Sequence, residues 1–207
     1  MCFSAAASFT ASTLLLICGF SAITCARKQY NRIAMIPFLF SIQQFFEGIT
    51  WIQLTRGNST PHVAPMGFLI FAYIVWPFWI PWSIHPLIQS NMQKLILTIS
   101  YCAATIFICM ALISSGLQKI TATIAYCHIY YPFLIPEWAI FSGNICYLVA
   151  TILPFFIIRN LQLWFMGILL ILSYLITFYF YLYNFTSVWC FFAAIISAYT
   201  IIIVRKS

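Results

Sequence analysis

Aspartate is absent from this chain, and glutamate occurs only at positions 47 and 137. Charged residues of either sign make up 5% of the 207 residues, where soluble globular domains carry about 25%. So few charges cannot cover a water-facing surface, and a soluble domain is excluded. Without aspartate, a membrane hydrolase built on His/Asp clusters is disfavoured. No lysine lies inside an apolar run, which excludes a retinal Schiff base. The three histidines include no facing pair at one depth, so a haem held by two of them is unsupported. A net charge of +7 invites nucleic acid, but the nine basic residues lie scattered between apolar runs and form no stripe.

What is present is hydrophobic: 64% of the chain, with a mean hydropathy of +1.03. Seven apolar runs stand out, at Ala5–Ala26, Ile33–Thr55, Pro65–Ile88, Leu95–Gly116, Trp138–Ile158, Leu163–Tyr183 and Ser187–Val204. Each is about 18–24 residues, enough to cross ~30 Å of hydrocarbon as a helix. A β-barrel would show alternating segments of about ten residues instead. The expectation is therefore an all-α integral membrane protein, with residues 1–207 forming one seven-helix bundle in the lipid bilayer. The first run lacks a basic segment before it and is read as a mature helix, not a cleaved signal.

Orientation follows from the basic residues. With the N-terminus on one side, the other side collects Arg27, Lys28, Arg32, Lys94, Arg159, Arg205 and Lys206, against Arg56 and Lys119 on the first. The positive-inside rule then puts the N-terminus outside and the C-terminus in the cytoplasm. Between the fourth and fifth runs, Thr121–Tyr131 is rich in β-branched and aromatic residues and ends at Pro132. It reads as a short external strand-like lid or hairpin, or equally as an interfacial aromatic belt. Pro77 and Pro81 predict a bent third helix with an aromatic wall.

Glu47 is the residue that demands a reason. A carboxylate in an apolar helix costs several kcal/mol unless it is paired, protonated or facing a wet cavity. Gln43, Gln44 and Trp51 stand three and four residues from it and share its face. Helical rise puts Glu47 about 12 Å below the outer boundary and Asn144 about 9 Å below it, so the two could hydrogen-bond. The face could be a structural clasp between helices, or a site for a ligand, ion or proton.

The cysteines sort by depth. Cys2, Cys127 and Cys190 fall near the outer face, Cys109 and Cys146 deeper, and Cys18, Cys25 and Cys102 toward the inner half. An oxidising exterior would allow a Cys2–Cys190 disulfide joining the first and last helices, although a free or metal-bound pair fits the spacing as well. Cys2, Glu47, His128 and Cys190 are the weak candidates for metal ligands, since no closely spaced chelating pair exists.

Three stretches carry a resemblance: Met1-Cys2-Phe3-Ser4 at the start, Gln43-Gln44-Phe45-Phe46-Glu47-Gly48-Ile49-Thr50-Trp51, and Ser187-Val188-Trp189-Cys190-Phe191-Phe192-Ala193. Together they resemble a family of uncharacterised, mostly bacterial multi-pass membrane proteins of unknown function. The resemblance covers the whole chain and implies a bacterial inner membrane. It implies that Cys2, Gln43, Gln44, Glu47, Trp51, Trp189 and Cys190 are signature positions, and it brings no activity or cofactor with it.

Three functional classes follow. The first is a protein that binds, senses or transports a small ligand, ion or proton. Glu47 would be its charged or proton-accepting group, Gln43 and Gln44 the orienting partners, Trp51 and Trp189 the walls, and Asn144 a further contact. The second is a redox or metal-dependent membrane enzyme using Cys2 and Cys190 with Glu47. The third is a structural subunit of a membrane complex.

Overall fold

The computed structural model describes residues 4–57, 63–115, 121–132 and 137–206. Six helices in it are long and apolar enough to cross a membrane. They are α1 (Ala5–Cys25), α2 (Lys28–Thr55), α3 (Val63–Leu87), α4 (Asn91–Ser115), α6 (Leu161–Phe180) and α7 (Leu182–Arg205). The remaining apolar run departs from the continuous helix expected of it. Helix α5 (Glu137–Thr151) stops, the chain turns, and a short helix follows at Pro154–Ile157. Pro154 has no N–H and its ring clashes with the carbonyl four residues earlier, so the helical ladder cannot run through it. The turn is closed instead by short-range bonds, Phe155 N–H to the Ile152 carbonyl at 3.2 Å and Phe156 N–H to the Leu153 carbonyl at 3.0 Å.

The surface is greasy and the interior holds the polar groups. Leu14, Ile17 and Phe20 on α1, Ile99 and Ile106 on α4, and Leu172, Leu175 and Ile176 on α6 are exposed. Such a band suits lipid. Lipid tails are as apolar as leucine, so helices pair here through close packing and interhelical hydrogen bonds rather than by expelling water. Gly19 shows the first device: a Cβ there would lie 2.8 Å from the Cβ and backbone N of Phe38, so α1 and α2 meet backbone to backbone. Ser12 shows the second, donating to the Ser41 carbonyl across the same pair at 2.8 Å.

Helix α3 absorbs its prolines. A π-helical turn at Phe71–Val75 precedes Pro77, and the Trp76 N–H reaches back five residues to the Phe71 carbonyl. Such bulges relieve a ladder that proline interrupts, and they recur at functional sites. At the far end of α3, the Arg32 guanidinium lies 4.0 Å from the Trp82 ring centroid and donates to the Trp82 carbonyl at 3.1 Å. Trp79 Nε1 donates in return to the Arg32 carbonyl at 3.2 Å.

The segment read as a strand or an aromatic belt is a hairpin. Strands β1 (Thr123–Ala125) and β2 (His128–Tyr130) pair antiparallel, with Ala125 opposite His128. The two linking residues, Tyr126 and Cys127, have φ of 51° and 64°. That is the left-handed geometry of a two-residue primed turn, met here by two residues that carry a Cβ. The start of α7 holds the hairpin down. Asn184 Nδ2 donates to the Ala125 carbonyl at 2.8 Å, and Tyr183 stacks on Tyr130 with centroids 4.3 Å apart.

Candidate functional site

The upper half of α2 presents Gln43, Gln44, Glu47, Thr50 and Trp51 to the interior, and all five are buried. Their hydrogen bonding divides them. Gln43 is fully used: Trp76 Nε1 donates to its Oε1 at 2.7 Å, and its own amide donates to the Phe68 carbonyl at 3.5 Å. It locks α2 to α3. Gln44, the next residue, lies beside Glu47, and its amide has no partner within 3.5 Å among the described residues.

Glu47 is 2% exposed. One carboxyl oxygen accepts a short hydrogen bond from the Ser187 hydroxyl of α7, 140 positions along the chain. The other oxygen has no partner among the described residues. Three more buried groups around the same end share that condition, the Ser8 hydroxyl, Trp51 Nε1 and the Tyr131 hydroxyl. Tyr131 lies beside Glu47 and Thr50. Burial, reinforced by the Glu47 carboxyl and the Cys190 thiol, pushes its phenol well above the usual range, so it stays a donor across neutral pH. An unpaired buried polar group costs about 1–3 kcal/mol, and native proteins hold few of them. Among the described residues, these open groups gather at one end of the bundle.

Beside this cluster lies a cavity of ≈ 330 Å³. Its walls come from α3, α4, the hairpin, α5, α6 and α7, and they are aromatic. Six tyrosines line it (Tyr73, Tyr130, Tyr131, Tyr147, Tyr174 and Tyr183), with Phe107, Phe178, Phe185 and Trp189. No lysine, arginine, aspartate or glutamate is among the described residues that line it. Ser187 is, so the hydroxyl that binds Glu47 belongs to the cavity wall. The rings are braced: the Tyr73 hydroxyl and Thr186 Oγ1 are 3.1 Å apart, Trp189 Nε1 donates to Ser173 Oγ at 3.2 Å, and Tyr147 lies edge-on to Trp189. Beyond Tyr147, Trp189 and Cys190, which line both spaces, a second and apolar cavity of ≈ 40 Å³ leads toward Phe40 and Trp76.

The expected site residues separate. Trp189 and Asn144 line the cavity. Gln43, Gln44, Glu47 and Trp51 do not; they form the polar layer beside it, reached through Ser187. In place of the suggested Glu47–Asn144 hydrogen bond, Glu47 accepts from Ser187; Asn144 belongs to the cavity wall on α5, which Glu47 does not line. Cys190 has no disulfide partner among the described residues, is 4% exposed and packs near Trp51 and Tyr131. Cys2 lies outside the described residues, and the Cys2–Cys190 pairing with it. Among the described residues, no three His, Cys, Asp or Glu side chains come together to hold a metal ion. His128 Nδ1 instead lies 2.7 Å from the Cys127 carbonyl, its ring packed on Tyr181.

Ser187 and the tyrosines were missed by sequence reasoning. Ser187 had a signal, since it stands one helical turn before Cys190 in the distinctive C-terminal stretch. Tyr73, Tyr147 and Tyr174 had a weaker one, each a hydroxyl inside an apolar span. Comparison with the curated proteins finds no match, and comparison with the solved structures finds none. The model of a family of unknown function, DUF6629, matches residues 1–207, and the chain belongs to that family.

Proposed function

We propose that this membrane protein binds a small ligand in the tyrosine-lined cavity, entering from the extracytoplasmic side, with Glu47 as the ionisable group that senses its occupancy. The single observation that carries the reading is the Ser187 bridge. One hydroxyl lines the cavity and bonds the carboxyl, and the carboxyl keeps one oxygen unused among the described residues. A clasp between helices would use both oxygens, as Gln43 uses both its atoms.

In this reading the chain crosses the bilayer seven times. Residues 137–157, taken as α5 and the short helix after it, cover about 30 Å at ~1.5 Å per residue. The seven basic residues at the far end face the cytoplasm, and the hairpin lies outside over the cavity mouth. Tyr147 and Trp189, standing between the larger and the smaller cavity, are where a transported ligand would be gated.

Access tests the reading. Asn144→Cys is labelled in intact cells with a membrane-impermeant maleimide, and mass spectrometry locates the label. Modification at position 144 from outside is the expected result. Modification only after the cytoplasmic face is opened reverses the orientation, and no modification from either side removes the open cavity.

A further inference from the structure

We propose that the cavity's ligand is a small organic ammonium ion carrying at least one N–H. This rests on the cavity being a binding site and adds the chemistry of what it takes. Three features converge. The walls are aromatic: Tyr73, Tyr147, Tyr174 and Trp189 are held in place by their own contacts, and such rings attract cations, most of all where water is excluded. Charge is the second. No basic residue is among the described residues that line the cavity, so an anion would meet no compensating group from them and would sit near the Glu47 carboxyl. An ammonium would supply the positive charge that Glu47 lacks among the described residues, acting across the Ser187 hydroxyl.

Asn184 is the third and independent feature. It lines the cavity, is 4% exposed, and spends its amide N–H on the Ala125 carbonyl of the hairpin. Its Oδ1 has no partner among the described residues. That leaves a buried acceptor at the wall, which an N–H of the ligand would satisfy. A quaternary ammonium has no such hydrogen, and this is why the inference specifies one. Asn184 also ties the ligand to the lid, since the same side chain holds the hairpin down.

The test uses one carbon skeleton with three head groups: isopentylammonium, isopentyl alcohol and isovalerate. Binding to the purified full-length protein in detergent is read by tryptophan fluorescence and by calorimetry at pH 7. The ammonium is expected to bind about tenfold or more tighter than the alcohol, the order of one desolvated cation–π contact, and the carboxylate not at all. In Glu47→Gln the preference over the alcohol falls, and an unchanged preference takes Glu47 out of the site. Tetramethylammonium should bind more weakly than isopentylammonium. Equal affinity for ammonium and alcohol, or tighter carboxylate binding, overturns the ammonium assignment and leaves the cavity reading intact. Failure of all four probes also overturns it. In that case, labelling at Asn144→Cys decides separately whether the cavity itself is open.

Discussion

The two ends of α2 lie in one helix and follow different rules. Toward the far end, Ile33, Ile36 and Phe40 join Trp76, Phe155, Leu163 and Met166 in a dry core, with Phe40 stacked on Trp76 at 3.8 Å. The hydroxyls buried there are self-sufficient. Ser41, Ser83, Ser197 and Thr200 each donate to a backbone carbonyl three residues earlier. Toward the hairpin, Gln44, Glu47 and Trp51 keep unsatisfied atoms, and so does Tyr131 above them. Both ends are equally removed from solvent. The difference teaches that burial alone does not leave polar groups unpaired in this bundle: Ser41, Ser83, Ser197 and Thr200 settle their hydrogen bonds within their own helices, whereas among the described residues the open polar atoms gather toward the hairpin.

The comparison can be broken by substitution, and the largest effect belongs to the dry core. Phe155→Ala empties a fully buried ring site and should lower unfolding stability in detergent by about 3–5 kcal/mol. A loss under about 1 kcal/mol would show that the far end is not a packed core. Next comes Ser187→Ala, which strips Glu47 of the hydroxyl hydrogen bond that α7 gives it. It should lose about 2–3 kcal/mol, read by chemical unfolding. Stability equal to the parent would mean that the carboxyl is held by something else.

Two neighbouring glutamines sharpen the contrast. Gln43→Leu leaves Trp76 Nε1 buried without an acceptor and should cost about 1–2 kcal/mol. Gln44→Leu removes an amide with no partner, so thermal unfolding should stay unchanged or rise slightly. If the two variants behave alike, the division of the polar face into clasp and site is wrong. Glu47→Gln should likewise keep the parent's unfolding midpoint within about 0.5 kcal/mol while losing ligand discrimination. A marked drop in stability would return Glu47 to the role of a structural clasp.

Much of this was legible beforehand. The membrane class followed from charge scarcity, and Glu47 from the expense of an acid in an apolar span. Its burial with Gln43, Gln44 and Trp51 followed from helical spacing. The break in the last third of the fifth run was legible too, in Pro154, but an apolar run advertises its length more loudly than its interruption. Asn144 was expected to meet Glu47, and Ser187 meets it instead. Rise per residue gives height along the membrane normal and says nothing about which helix stands opposite. Gln43 and Gln44 were given one shared role, yet adjacent residues on a helix diverge by about 100°, and only the neighbours of each decide what it meets.

The sequence by itself determined that this chain lives in a bilayer as a helical bundle, and that one carboxyl is buried there. Hydrocarbon leaves no other solution for so apolar a chain, and composition is enough to say so. Tertiary structure decided that Ser187 meets Glu47 across 140 positions, that Gln43 is a clasp and Gln44 is not, and that tyrosines from separate spans close around one cavity. These depend on the rotation and order of helices about one another. That arrangement is set by close packing at positions such as Gly19 and by interhelical hydrogen bonds, which no single apolar run encodes alone.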